Sequence, residues 1–232
     1  MITSRDLDYI ETKLIKQGKK VLNYPLIELA EWINKEYCVN VINIHYDYIQ
    51  NNRPRLGIIF EFRTDERKFY DSDYNYDHNK QKAIAEKFSE LVSLKEKEPK
   101  NIFKCFKKDV PSKYNIKNIF IAFSAFEPIA KEEANNRIPE EKVQELKNKL
   151  NNNDLWKIAR SFSSTTFFFY TDEQVKEYSN NESMKIFEEA YYNLIKPYDE
   201  FNYIKKDSFH LNIDSKENFD NNFSSNWYYY YK

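Results

Sequence analysis

Two glycines, Gly18 and Gly57, serve all 232 residues, alongside 19 tyrosines, 18 phenylalanines and 3 tryptophans. Glycine lets a backbone approach a phosphate closely or turn with positive φ. A chain this poor in it has no glycine-rich loop to cradle a nucleotide or dinucleotide. It also has no Gly-x-Ser-x-Gly nucleophile elbow. No cofactor is therefore expected, and turns must rely on Asn and Asp, which tolerate left-handed backbone. Candidate turns are Asn51-Asn52, Asn135-Asn136, Asn151-Asn152-Asn153 and Asn221-Asn222.

Hydrophobic period organises the rest. Leu7, Ile10 and Leu14 stand at helical spacing, and Leu26, Leu29, Ala30 and Ile33 follow Pro25 in the same way. The period then drops to two. Ile42, Ile44, Tyr46 and Tyr48 alternate with polar residues, and after Asn51-Asn52 so do Leu56, Ile58, Phe60 and Phe62. This pattern predicts a β-hairpin with one apolar and one mainly polar face. A polar loop at 64–78 leads into a helix bearing Ile84, Phe88, Leu91 and Val92. Further strands are predicted over 118–126, 161–171, 207–214 and 226–231, and further helices after Pro139 and over 182–195.

These elements predict an α+β fold: a mainly antiparallel sheet with helices packed on one side, after two N-terminal helices. A single domain over 1–232 is expected. Phe60 to Glu66 aligns with Phe167 to Glu173 at an offset of 107, and both segments end in Thr-Asp-Glu. That match suggests pseudo-duplicated β-α-β units, with halves at 41–129 and 161–232. The alternative is that Thr-Asp-Glu is a generic junction from strand to helix.

Charge excludes little and favours less. Lys and Arg total 36 against 37 Asp and Glu, so no global field draws nucleic acid or an anionic membrane. A Lys-rich segment over 95–117 leaves a nucleic-acid-binding module as a second alternative. Cys38 and Cys105 show no CxxC spacing, which fits a reducing, cytoplasmic setting. The N-terminal stretch has no apolar h-region, and no run is long enough to span a bilayer, so no membrane partner is expected. The abundance of Lys, Asn, Ile and Tyr is what an AT-rich coding genome produces, so composition alone is a poor functional clue.

No motif names a reaction. On the polar face of the first hairpin, His45, Asp47, Glu61 and Arg63 share one phase. Asp47, Glu61 and Arg63 resemble the Asp…Glu-x-Lys arrangement of metal-dependent nucleases, with arginine in place of lysine. They are the candidate catalytic residues of a divalent-metal nuclease or phosphodiesterase, the first alternative; the plainer reading is a solvated face with cross-strand ion pairs. The Asp71–His78 loop fails the calcium-loop pattern, because Tyr76 and Lys82 stand where Gly and Glu are needed. No metal site is assigned.

The favoured expectation is a non-enzymatic cytoplasmic binding protein with a protein partner. Its most specific form is an immunity or inhibitor protein occluding a bacterial toxin or effector with a Tyr-rich, acidic surface. Candidate contacts are Asp71, Asp73, Asp77, Asp214, Glu217 and Asp220, with Trp227, Tyr228 and Tyr230. In a terminal strand, Tyr228 and Tyr230 would project together from the outer face.

Overall fold

The computed structural model describes residues 3–97, 114–179 and 182–232. Cys105 and most of the Lys-rich segment lie outside them. The chain divides into two compact units, residues 1–127 and 128–232. The boundary falls inside one helix, and the units are described separately.

Unit 1 opens with two helices, α1 (Leu7–Lys16) and α2 (Leu26–Tyr37). The hairpin follows as β1 (Val41–Ile49) and β2 (Arg53–Phe60), then α3 (Arg63–Arg67), α4 (His78–Lys97), β3 (Phe120–Ala125) and the start of α5 (Phe126–Asn136). β1 and β2 are antiparallel, and β3 adds parallel to β2. Leu29 and Ile33 of α2 and Ile84 and Phe88 of α4 pack with Ile44, Leu56, Ile58 and Phe60 from one sheet face. The period of two in the hairpin and the helical stripes of α2 and α4 meet in this core.

The opposite face is polar along β1 and is crossed by α1. Here the stripe of Leu7 and Ile10 does not face the protein. Leu7 is 76% and Ile10 42% exposed, while Tyr9 and Thr12 are buried. The reason is chemical matching. Thr12 Oγ1 accepts from Asn43 Nδ2 at 2.9 Å, and Tyr9 stacks on Phe126 at 4.9 Å. A strand face of Asn43, His45 and Asp47 selects the polar side of the helix.

Gly57 is required on this same face. His45, its partner across β1 and β2, lies so close over it that a Cβ at position 57 would stand 2.0 Å from the imidazole Cε1. Gly18 serves the other glycine role, with φ +70° after α1.

Unit 2 repeats the plan. After the rest of α5 come α6 (Glu140–Leu150), β4 (Leu155–Ser161), β5 (Ser164–Phe169), α7 (Asp172–Ser179), α8 (Glu182–Ile195), β6 (Asn212–Ser215), α9 (Lys216–Phe223) and α10 (Trp227–Tyr230). β4 and β5 are antiparallel and β6 adds parallel to β5. Val143, Ile158, Phe167, Phe169, Phe187 and Tyr191 form the core on one face.

The correspondence reaches single bonds. Each first strand carries its irregularity after its first residue, at Val41/Asn43 and at Leu155/Lys157. Phe60 stacks on Phe69 at 4.6 Å, and Phe169 stacks on Tyr178 at 4.4 Å. Glu127 N–H donates to Glu61 O at 2.9 Å, and Glu217 N–H donates to Tyr170 O at 3.2 Å. Phe60 thus answers to Phe169, not to Phe167, so the Thr-Asp-Glu alignment is two residues out of register. Thr64-Asp65-Glu66 lies inside α3, whereas Thr171 precedes α7 and its Oγ1 accepts from Gln174 N. The duplication is architectural, and the matching tripeptides are not equivalent.

Three further expectations are corrected. β4 joins the sheet before the predicted 161–171 strand; the irregularity at Leu155/Lys157 puts Trp156 and Ile158 on opposite faces, so the segment lacks a period of two. The 207–214 strand shrinks to Asn212–Ser215, the length that pairs with β5. Residues 226–231 are a helical turn, since Asn226 caps it by accepting from Tyr228 N at 2.9 Å.

Denaturation will test both packing claims. Phe169→Ala is expected to cost about 3–5 kcal/mol, as buried aromatic truncations do. Gly57→Ala is expected to cost about 1–3 kcal/mol from overpacking. Combining it with His45→Ala should recover much of that loss; a double variant no more stable than Gly57→Ala alone would refute the steric account.

Candidate functional site

The second face of the unit 2 sheet is covered by aromatic rings. Phe168 alternates out of the core formed by Phe167 and Phe169, and it is fully buried under Phe219 and Trp227. α9 brings Phe219 there because Ser215 caps its start, its Oγ accepting from Asn218 N at 2.7 Å. Ser224 and Ser225 then both take left-handed backbone, φ 53° and 54°, and reverse the chain so that α10 returns over α9. Trp227 stacks on Phe219 at 4.2 Å and lies parallel to Trp156 at 6.2 Å. Tyr230 packs edge-on against Phe168 and Phe223.

A helical turn divides the tyrosines differently from a strand. Trp227 and Tyr230, three apart, face inward together. Tyr228 and Tyr229 face solvent, 67% and 56% exposed. Tyr230 is therefore an anchor: its hydroxyl donates to Asp214 Oδ2 at 2.6 Å. Burial, reinforced by that carboxylate, pushes the Tyr230 phenol well above its ordinary value. Two lysines complete the cluster, Lys157 with Nζ 4.7 Å from the Trp227 ring centroid and Lys216 with Nζ 5.5 Å from that of Trp156.

The acidic candidates near this cluster are engaged within the chain. Asp214 accepts from Asn218 Nδ2 as well as from Tyr230. Glu217 accepts from Asp172 N at 3.1 Å. Asp220 pairs with Lys216 and accepts from Ser225 Oγ at 2.6 Å. Each has a structural task before any external one.

The other acidic set belongs to unit 1. Asp71 Oδ1 accepts from Asp73 N and Asn75 N, both at 2.9 Å, which folds the loop into a tight turn. Asp77 caps α4 through Asn79 N and Lys80 N. The bond from Lys80, above all, holds its carboxyl below the usual value. Tyr74 stands at the apex, 87% exposed, with φ +60°. It was not among the residues singled out from sequence.

The nuclease constellation does not assemble. Asp47 faces Arg55 across the hairpin, and Arg55 Nε donates to it at 2.8 Å. Glu61 lies six residues beyond Arg55, roughly 20 Å along an extended chain at ~3.3 Å per residue. There it pairs with Lys16 at 2.5 Å and accepts from Asn40. Arg63 sits in α3 and pairs with Glu66 at 3.2 Å. Among the described residues no three His, Cys, Asp or Glu side chains are grouped to hold a metal.

What does assemble on that face is an Asp8, His45, Asp47 and Arg55 cluster. His45 Nε2 lies 3.0 Å from Asp8 Oδ2, and Arg55 Nη2 lies 3.8 Å from the same oxygen. His45 holds the Asp8 carboxyl below the usual value, with its charge and that of Arg55 adding, against burial that raises it. The sequence pattern placed His45 and Asp47 on this face; Asp8 was hidden because α1 docks with its polar side.

No family model matches the chain, and neither the curated proteins nor the solved structures yield a match. Among the described residues no helix is long and apolar enough to cross a membrane.

The lowered Asp8 value sets a pH dependence. A carboxyl more acidic in the folded state adds stability that is full above its unfolded value, near pH 4, and is lost as pH falls through the folded value. Asp8→Asn should therefore be less stable than the wild type at neutral pH, and the gap should close on acidification. Urea titrations at pH 7 and pH 3 showing a constant gap would contradict this.

Proposed function

We propose that the chain is a non-enzymatic binding protein that engages a folded protein partner through the α10 tyrosines. The observation carrying this reading is the exposure of Tyr228 and Tyr229 on a turn pinned by the half-buried Trp227 and Tyr230. Aromatic side chains supply large contact area with few torsions to freeze, and they dominate interface hot spots. A turn already fixed from beneath loses little further freedom on association. The Asp71, Asp73 and Tyr74 apex offers unit 1 a second surface of the same aromatic and acidic character.

In its most specific form the protein is a cytoplasmic inhibitor or immunity protein that occludes a toxin or effector. Nucleic acid is a weaker partner for this surface, because Lys157 and Lys216 lie over indole rings and Lys216 is paired with Asp220.

Affinity capture with the full chain, repeated with a Tyr228→Ala/Tyr229→Ala variant, tests the reading. The wild type should retain a protein partner, and the variant should lose at least about thirtyfold in affinity, as hot-spot residues do. Both residues being exposed, folding stability should shift by no more than about 0.5 kcal/mol per site. Capture of nucleic acid alone, or unchanged capture by the variant, would overturn the proposal.

A further inference from the structure

A separate feature of unit 2 carries a second site. Between the β4–β5 turn and the chain before β6 lies a cup of about 200 Å³. Ile195, Tyr203, Ile204 and Phe209 supply the apolar part of its lining. Its wall carries Lys131, Ser163, Lys205 and Ser208, and no Asp or Glu lines it. His210 stands at the rim, where Glu188 engages its Nδ1 at 3.2 Å. The Lys205 ammonium and the Ser163 and Ser208 hydroxyls have no side-chain partner among the described residues.

The cup is held in shape from behind. Asp199 accepts from Tyr203 N and Ile204 N, both at 2.9 Å, and Lys196 Nζ donates to Ile204 O at 3.0 Å. The buried Asn135 amide donates to Phe162 O and Ser164 O, both at 3.2 Å, which fixes the turn bearing Ser163. Phe209 stacks on Tyr191, parallel within 6°. These bonds fix the backbone behind Ile204 and the turn bearing Ser163, while the Lys205, Ser163 and Ser208 side chains stand exposed at the opening.

Unit 1 packs its own chain before β3 against its hairpin. There the chain before β3 meets the hairpin through Tyr46, whose hydroxyl accepts from Asn115 N at 2.8 Å and whose ring packs on Tyr114 at 5.0 Å. Unit 2 has a shorter hairpin with a two-residue turn at Phe162-Ser163, and Ser163 of that turn lines the cup.

We propose that the unit 2 cup binds a small organic anion, a compact apolar or aromatic body bearing a carboxylate or a phosphate monoester. The apolar lining takes the body, and Lys205 with the serine hydroxyls takes the charge. The volume falls below the ~300–1,000 Å³ of drug-sized sites, which limits the ligand to fragment size.

Calorimetric titration of the full chain with phenyl phosphate and with benzoate tests this, with benzyl alcohol as the uncharged probe. At least one anion should bind saturably with Kd at or below about 1 mM. Lys205→Glu should weaken it about tenfold or more, and Lys149→Glu, an exposed charge reversal elsewhere, should leave it unchanged. No saturable binding of either anion overturns the proposal. So does benzyl alcohol binding equally well, or Lys205→Glu binding as the wild type does. Lys205 is remote in role from Tyr228 and Tyr229, so partner capture and anion binding fail independently.

Discussion

Each unit turns on one carboxylate at the end of its parallel strand pair. The backbone N–H of Glu127 bonds to Glu61 O, and its side chain accepts from Arg63 N at 3.4 Å. Glu217 does the same with Tyr170 O and Asp172 N. One residue thus stitches the helix after the third strand to the helix after the second. A parallel strand cannot be joined to its neighbour by a tight turn, so its register needs a lock of its own. The carboxylate also meets the first turn of a helix, where unsatisfied N–H groups favour negative charge. The contact closes the end of the parallel pair, next to the Phe60–Ala125 and Phe169–Ser215 pairings in the register on which the core faces depend.

What sequence made legible followed from strong period. The hairpin, the α2 and α4 stripes, the helix over 182–195 and the strand before Phe126 appear where the pattern placed them, the last as an edge strand with alternate residues buried. The failures have distinct physical origins. Trp227 to Tyr231 has strand-like composition, but strand preference is mostly a preference for a suitable surface. Here the surface on offer is the back of Phe168 and Phe219, and an Asn cap sets a helical turn upon it. α1 misled for the opposite reason: its apolar stripe is real, but hydrogen bonding to Asn43 and the Tyr9–Phe126 stack outweigh it. Asn135 and Asn221-Asn222 are helical, so Asn pairs alone do not mark turns. Asn51 and Asn151 do take left-handed backbone.

The candidate site was legible in part. Aromatic excess pointed to the C-terminal segment, and the segment does form a surface cluster. Which rings anchor and which project depends on a period of 3.6 against 2, and that choice reversed Tyr230. The acids proposed as contacts were visible as charges, but their intramolecular duties as caps and pair partners were not. Trp156 and Lys157, on a strand the sequence reading missed, could not be connected with residues seventy positions away.

The scarcity of glycine has one more effect, through the ten non-glycine residues that adopt positive φ among the described residues. Such a residue costs of order 1–3 kcal/mol when it is not glycine. In most chains those positions would be blank, with no side chain to present. Here Tyr74 and Phe162 occupy them, 87% and 55% exposed. Turns that elsewhere are silent connectors here carry exposed aromatic rings on the surface. The missing glycines thus give the molecule more to be read by.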